Sequence, residues 1–204
     1  MLYELATLSF PLGGVQEALP VLRAYTADGA VGGRLLGCWE PEHGVIGGRL
    51  LLLRGFDDAD ELAEERRHVL TSTDPFGVGE RLAGLTTESY APFPFLPPVE
   101  PGRYGAVYEF RTYHLKVGGL APTMAGWEAA VAGRTELSPL TAGLYALDGA
   151  PRITHIWPYD SLDARLAVRR TAVERGLWPP VNGPESIAHA TSTIALPTPI
   201  SPLS

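Results

Sequence analysis

A spacing of 105 residues constrains this chain more than any other feature. Tyr3 and Tyr108, Glu4 and Glu109, Thr7 and Thr112, and the pairs Gly13-Gly14 and Gly118-Gly119 are all separated by it. The stretches that carry these residues are Leu2-Tyr3-Glu4-Leu5-Ala6-Thr7-Leu8 and Val107-Tyr108-Glu109-Phe110-Arg111-Thr112-Tyr113-His114. Each alternates with period 2, is rich in aromatic or β-branched residues, and runs toward a glycine pair, which predicts two equivalent strands. Further along the offset is 103: Phe56-Asp57 matches Tyr159-Asp160, Asp60 meets Asp163, and Arg66-Arg67 meets Arg169-Arg170. A match carried through strands and helices alike points to a duplicated unit.

Each copy has the same order of elements. In the first, Val15, Ala18, Leu19, Leu22 and Tyr25 recur at helical spacing, with Pro20 predicting a kink. Asp28-Gly29 and Gly32-Gly33 end that helix, and strands at 35–39 and 50–54 flank a turn at 41–44. Asp57 is placed to cap a charged helix over 58–70, and 82–90 reads as a fourth strand. The second copy gives a strand at 107–114, a helix at 120–132 and strands at 140–147 and 152–157 around Asp148-Gly149. A helix capped by Asp160 and ended by Gly176 follows, then a strand at 187–196. The order β-α-β-β-α-β, twice, is that of the ferredoxin-like fold. Such a sheet carries helices on one face only, so two copies bury their bare faces against each other. The predicted boundaries are 1–91 for the first repeat, 92–103 for a Pro-rich linker, 104–196 for the second repeat and 197–204 for a tail.

Composition removes several function classes. A net charge of −7 and no basic cluster argue against nucleic acid. No apolar run is long enough to span a membrane, the N-terminus has no signal-peptide pattern, and cytoplasm is the expected compartment. The single Cys38 excludes an internal disulfide and reads as a buried apolar residue. No pattern of His, Cys and carboxylates suits a metal, and no phosphate-cradling loop or nucleophile elbow occurs. No cofactor is expected.

Tyr108-Glu109-Phe110-Arg111-Thr112-Tyr113, a Gly-containing turn, a helix carrying Trp127, and Ile156-Trp157-Pro158-Tyr159 before a helix with Arg165 and Arg169 resemble the NIPSNAP family. The resemblance covers residues 106–180 clearly and 1–77 more weakly, where Thr7-Leu8 replaces Thr-Tyr and the third strand lacks a Trp. It implies an α+β fold of the dimeric α/β-barrel superfamily, two tandem ferredoxin-like repeats packed sheet to sheet. It implies no particular reaction. Related barrels hold haem through an axial His, for which His114, His155 and His189 are the available residues, but nothing flanking them points to it.

Strand parity sorts the second copy into two faces. Tyr108, Phe110, Thr112 and His114 are assigned to the helix side. Glu109, Arg111 and Tyr113, joined by His155 and Trp157 from the third strand, are assigned to the barrel interior. There they would line a cavity for a small hydrophobic, polar-tipped organic molecule, with Arg111, Tyr113, Trp157 and Glu4 binding it. As an enzyme, the chain would use His155 and Glu109 as acid and base and Arg111 to steady an anion, in a cofactor-independent monooxygenase, isomerase, cyclase or dehydratase. The bland alternatives are a buried Glu109–Arg111 pair and an interaction protein whose barrel is filled. Arg165, Arg169 and Arg170 read as a solvated, salt-bridged helix face. Trp178-Pro179-Pro180 reads as a cover for the sheet edge or for a second subunit in a homodimer.

Overall fold

Eight strands close into one antiparallel barrel in the order β1-β3-β2-β8-β5-β7-β6-β4. The computed structural model describes residues 1–27, 32–45, 47–181 and 183–204. The strands are β1 (Leu2–Ser9), β2 (Arg34–His43), β3 (Arg49–Phe56), β4 (Gly84–Pro92), β5 (Val107–Leu115), β6 (Ala142–Ala146), β7 (Arg152–Tyr159) and β8 (Ile187–Pro197). The helices are α1 (Gly14–Ala27), α2 (Ala59–Thr71), α3 (Leu120–Thr135) and α4 (Leu162–Glu174). Read by repeat, the order is fourth-first-third-second in each half, and the halves join where β2 meets β8 and where β4 meets β6. Both predicted copies are therefore present, and their sheets share one interior.

The repeated glycine pair has a backbone cause. Gly13 and Gly118 sit at φ of +84° and +80°, in the left-handed region that a side chain disfavours, where each chain turns from its first strand toward its first helix. Local details depart from the sequence expectations. Helix α1 runs on through Pro20. The cap of α2 is Asp58, whose carboxylate accepts from the backbone N–H groups of Asp60 and Glu61; the cap of α4 is Ser161, which accepts from Ala164. Both lie one residue after Asp57 and Asp160. Gly176 does end the last helix, at φ +65°. The predicted stop at Asp28-Gly29 lies outside the described residues.

Three apolar clusters order the molecule. The barrel interior is packed with Tyr3, Leu5, Trp39, Leu53, Tyr90, Tyr108, Phe110, Leu144 and Ile156, with Val99 of the linker and Leu203 of the tail at one end. The linker and tail meet there: Val99 N–H donates to Tyr3 Oη at 3.0 Å, and Gly102 pairs with Leu203. Thr112, Thr154 and Tyr90 hydrogen-bond in series across the interior, and Arg152 reaches Tyr90, Glu88 and Asp148. The second cluster joins α1 to the outer face of β1 and β3 through Ala6, Leu8, Leu22, Leu50 and Leu52. The third joins α3 to the outer face of β5 and β7 through Trp127, Val131, Ile153 and Trp157.

This arrangement reverses the face assignment made from the sequence. Tyr108 and Phe110 point inward and pack against Trp39, with ring centroids 5.3 and 5.1 Å away. Glu109, Arg111, Tyr113, His155 and Trp157 point outward, beneath α3 and α4. Among the described residues the middle of the interior is a packed core; a cavity of about 210 Å³ opens at its linker end beside Tyr3, Val99 and Leu144, and others lie between helices and sheet. Cys38 is buried as expected, its thiol pushed up to about 12 by burial. Among the described residues no helix is long and apolar enough to cross a membrane.

Candidate functional site

Glu109 is the fixed point of the outer face of the second repeat. It sits mid-strand in β5 with no exposed surface. Its Oε1 accepts from Arg165 Nη2 at 2.5 Å, Arg111 Nη1 at 2.9 Å and Ser192 Oγ at 2.9 Å. Oε2 has no hydrogen bond and lies 3.6 Å from Arg169 Nη1. Burial alone would raise the carboxyl pKa, but Arg165, Arg111 and Arg169 overcome it and hold the group at about 2. A carboxylate held this way is a weak base.

Helix α4 delivers these arginines because it is amphipathic in reverse. Arg165, Arg169 and Ala172 form the stripe that faces the sheet, while Leu162, Leu166 and Val173 are exposed. The arginines that the sequence suggested as a solvated face are therefore turned inward. Helix α3 is conventional. It buries Thr123, Trp127, Val131 and Arg134 at intervals of four, four and three. Arg134 is buried, lies 4.2 Å above the Trp157 ring and donates to Tyr159 Oη at 3.2 Å. Its Nη1 has no partner among the described residues.

His155 is the most defined group in the site. It lies directly across from Arg111 in the β5–β7 register and packs edge-on to Trp127 and Tyr113 at centroid distances of 4.7 and 4.8 Å. Trp157 Nε1–H donates to its Nδ1 at 2.7 Å. An indole nitrogen only donates, so Nδ1 must be unprotonated and the neutral ring carries its proton on Nε2. Burial, and then the Arg111 charge, push the pKa well below the usual histidine value, which keeps the ring neutral. Nε2–H is buried and has no partner among the described residues.

Two adjoining cavities meet here and share Arg111 and Trp178. One, of about 360 Å³, is lined by Arg134, His155, Trp157 and Arg169 among others. The other, of about 190 Å³, is lined by Tyr113, Thr123, Trp127, Pro179 and Pro180 among others, and is mainly apolar. Thr123 Oγ1 is buried there without a partner. The structure thus brings together His155, Glu109, Arg111, Tyr113 and Trp157. It does not bring Glu4 with them. Glu4 lies under α2 in the first repeat and pairs with Arg54 at 2.6 Å, which is itself paired with Glu65 at 2.6 Å. Sequence reasoning missed Arg134 and the inward turn of Arg165 and Arg169, against which the apolar Leu162-Leu166-Val173 stripe argues.

The site does not fit a metal ligand role for His155. Its only free nitrogen carries the proton in the tautomer that Trp157 imposes, so no lone pair remains for haem iron. His114 and His189 stack on each other across β5 and β8 at 4.2 Å, away from both cavities. No group of three His, Cys, Asp or Glu residues suits a metal among the described residues.

Residues 108–202 match the NIPSNAP family model. No match is found among curated protein sequences. Solved structures similar across nearly the whole chain include a candidate monooxygenase from Lactobacillus acidophilus NCFM, 12% identical over 96% of this chain and 93% of that one, TM-score 0.68. An anthrone oxidase-like protein is 14% identical over 97% and 91%, TM-score 0.63. A mutant chlorite dismutase from Candidatus Nitrospira defluvii is 11% identical over 98% and 92%, TM-score 0.59. At these identities the likeness is one of fold.

Proposed function

We propose, from a chain whose second repeat carries a NIPSNAP domain, that the protein binds a small organic molecule between α3, α4 and the outer face of β5 and β7. The observation that carries this reading is the unpartnered His155 Nε2–H. A buried donor without an acceptor costs about 1–3 kcal/mol, and here it belongs to a side chain that lines a cavity of about 360 Å³. The ligand sits on the helix side of the sheet and not in the barrel interior. Arg111, Tyr113 and Trp157 keep their proposed binding roles, and Trp127 and Trp178 join them. Glu109 serves by holding Arg111, Arg165 and Arg169 in place.

A second reading, an enzyme without a cofactor, draws on the same donors, since a fixed N–H and guanidinium groups stabilise negative charge that develops on a substrate oxygen. It ranks lower. Glu109 is a weak base, and His155 Nδ1 is occupied by Trp157.

Native mass spectrometry of the purified protein, followed by ligand-observed NMR with an aromatic fragment set, tests the pocket. Ala190→Trp, which fills the apolar lobe from an exposed position on β8, should abolish fragment binding without lowering the thermal midpoint. Fragment binding that survives Ala190→Trp and is also indifferent to Trp178→Ala would place the ligand elsewhere.

A further inference from the structure

The charges around the larger cavity do not balance. Arg111, Arg134, Arg169 and Arg170 line it, against one acid, Glu174. Glu109 beneath them is shared among three guanidiniums and has no second carboxylate to help it. This happens in a chain whose overall charge is −7.

Arg134 makes the imbalance local. Three arginines are buried: Arg54, Arg134 and Arg152. Arg54 holds Glu4 and Glu65, and Arg152 holds Glu88 and Asp148. Arg134 has no carboxylate within ion-pair distance among the described residues; its contacts are a phenol oxygen and an indole face. Guanidinium does not shed its proton, so this charge cannot escape burial by neutralising itself. A buried charge is ordinarily paired. The missing partner is an anion: Arg134 and His155 line the same cavity, and each has a buried donor, Nη1 and Nε2–H, with no partner among the described residues.

We infer that the pocket selects an organic monoanion with a planar apolar body, of the arylcarboxylate type. The carboxylate takes the Arg134 and His155 donors, with Arg169 adding charge at the more open side. The planar body lies past Arg111 and Trp178 in the aromatic lobe. The inference rests on the pocket proposed above and adds the charge and shape of its occupant. Two features favour a carboxylate over a phosphate. The unfilled buried donors are few, and the adjoining lobe is apolar and flat-walled, bounded by Trp127, Trp178, Pro179 and Pro180.

Calorimetric titration with 1-naphthoate and with the uncharged, nearly isosteric 1-naphthamide is the test. The acid should bind at least ~10-fold more tightly than the amide, a difference of ~1.4 kcal/mol. Arg134→Gln should remove most of that preference, weakening the acid much more than the amide. Should Arg134→Gln not fold, Arg169→Gln, at a partly exposed position, should still cut the preference at least ~3-fold. Equal binding of acid and amide to the wild type overturns anion selection and leaves the pocket reading standing. An unchanged preference in both arginine variants also overturns it. Binding of neither probe, together with no effect of Ala190→Trp on any fragment, takes down the pocket and the anion with it.

Discussion

Glu4 in the first repeat and Glu109 in the second hold equivalent strand positions, both without exposed surface and both beneath the second helix of their repeat. Around Glu4 a single guanidinium, Arg54, bridges two carboxylates, with Arg66 at 3.9 Å and the rings of Phe56 and Phe76 against Arg54. Around Glu109 three guanidiniums share one carboxylate. The strand position of Arg54 is taken by Trp157, and that of Glu65 by Val168. Duplication has kept the buried carboxylate and shifted the charge around it from balanced to a surplus of cations. Arg54 and Glu65 also border open space, but there the buried guanidinium has its carboxylates. The cluster with surplus cations borders the cavity proposed as the site.

The comparison breaks most readily at Arg54. Arg54→Met leaves Glu4 and Glu65 buried together with only the more distant Arg66 as a cation and should cost about 3–5 kcal/mol in urea unfolding. Glu109→Gln should cost less, because Arg165, Arg111 and Arg169 each retain some solvent. Equal losses would mean the two clusters are structural to the same degree.

Acid titration of stability separates them next. Glu109 has a folded-state pKa of about 2 against an ordinary 4.5, so its contribution is full above about pH 4.5 and is lost as the pH falls toward 2. Glu109→Gln should flatten that limb of the stability profile. His155 acts in a higher window. It stays neutral when folded, so the unfolded chain takes up a proton below about pH 6.5 that the native state does not, and stability falls there. His155→Gln should remove that slope and leave the limb below pH 4.5 intact.

A smaller effect is expected from Trp157→Phe, at about 1–3 kcal/mol for the lost donor and its packing. Its sharper readout is nitrogen NMR of the imidazole. The wild-type ring should show the Nε2–H form, and the variant a shift toward Nδ1–H. A wild-type ring already in the Nδ1–H form would remove the donor on which the pocket reading depends. The smallest effect should come from Asp148→Asn, which loosens the contact of Asp148 with Arg66 across the repeats at partly exposed positions and leaves buried Arg152 its second carboxylate, Glu88. A loss of no more than about 1 kcal/mol is expected in the same unfolding measurement.

The order of elements was legible because each copy repeats its turn glycines and helix starts, and because the second copy resembles a family of known fold. The faces were not. Period 2 divides a strand into two sides without saying which is inside, and β7 is buried at every position, so no polar side marks the exterior. Tyr108 and Phe110 look equally suited to a helix or to a barrel interior. In α4, Leu162, Leu166 and Val173 share a stripe that would ordinarily face the core, and that expectation places Arg165 and Arg169 outward. Taking that stripe as exposed turns Arg165 and Arg169 toward Glu109. Arg134 had no comparable marker, since its burial depends on the approach of α3 to Trp157 and Tyr159.

Helix α4 keeps one residue, Ala172, fully out of solvent, and Arg165 and Arg169 tie it to Glu109. Helix α3 is seated by Trp127 and Val131. One helix is fastened by charge and the other by apolar contact, so the two should respond differently to ionic strength. Amide exchange in α4 should quicken as salt rises while α3 stays protected, making α4 the part of the second repeat that opens on its own. An anion that draws Arg169 toward itself would change that protection, so the exchange rate of a single helix can report whether the pocket beneath it is filled.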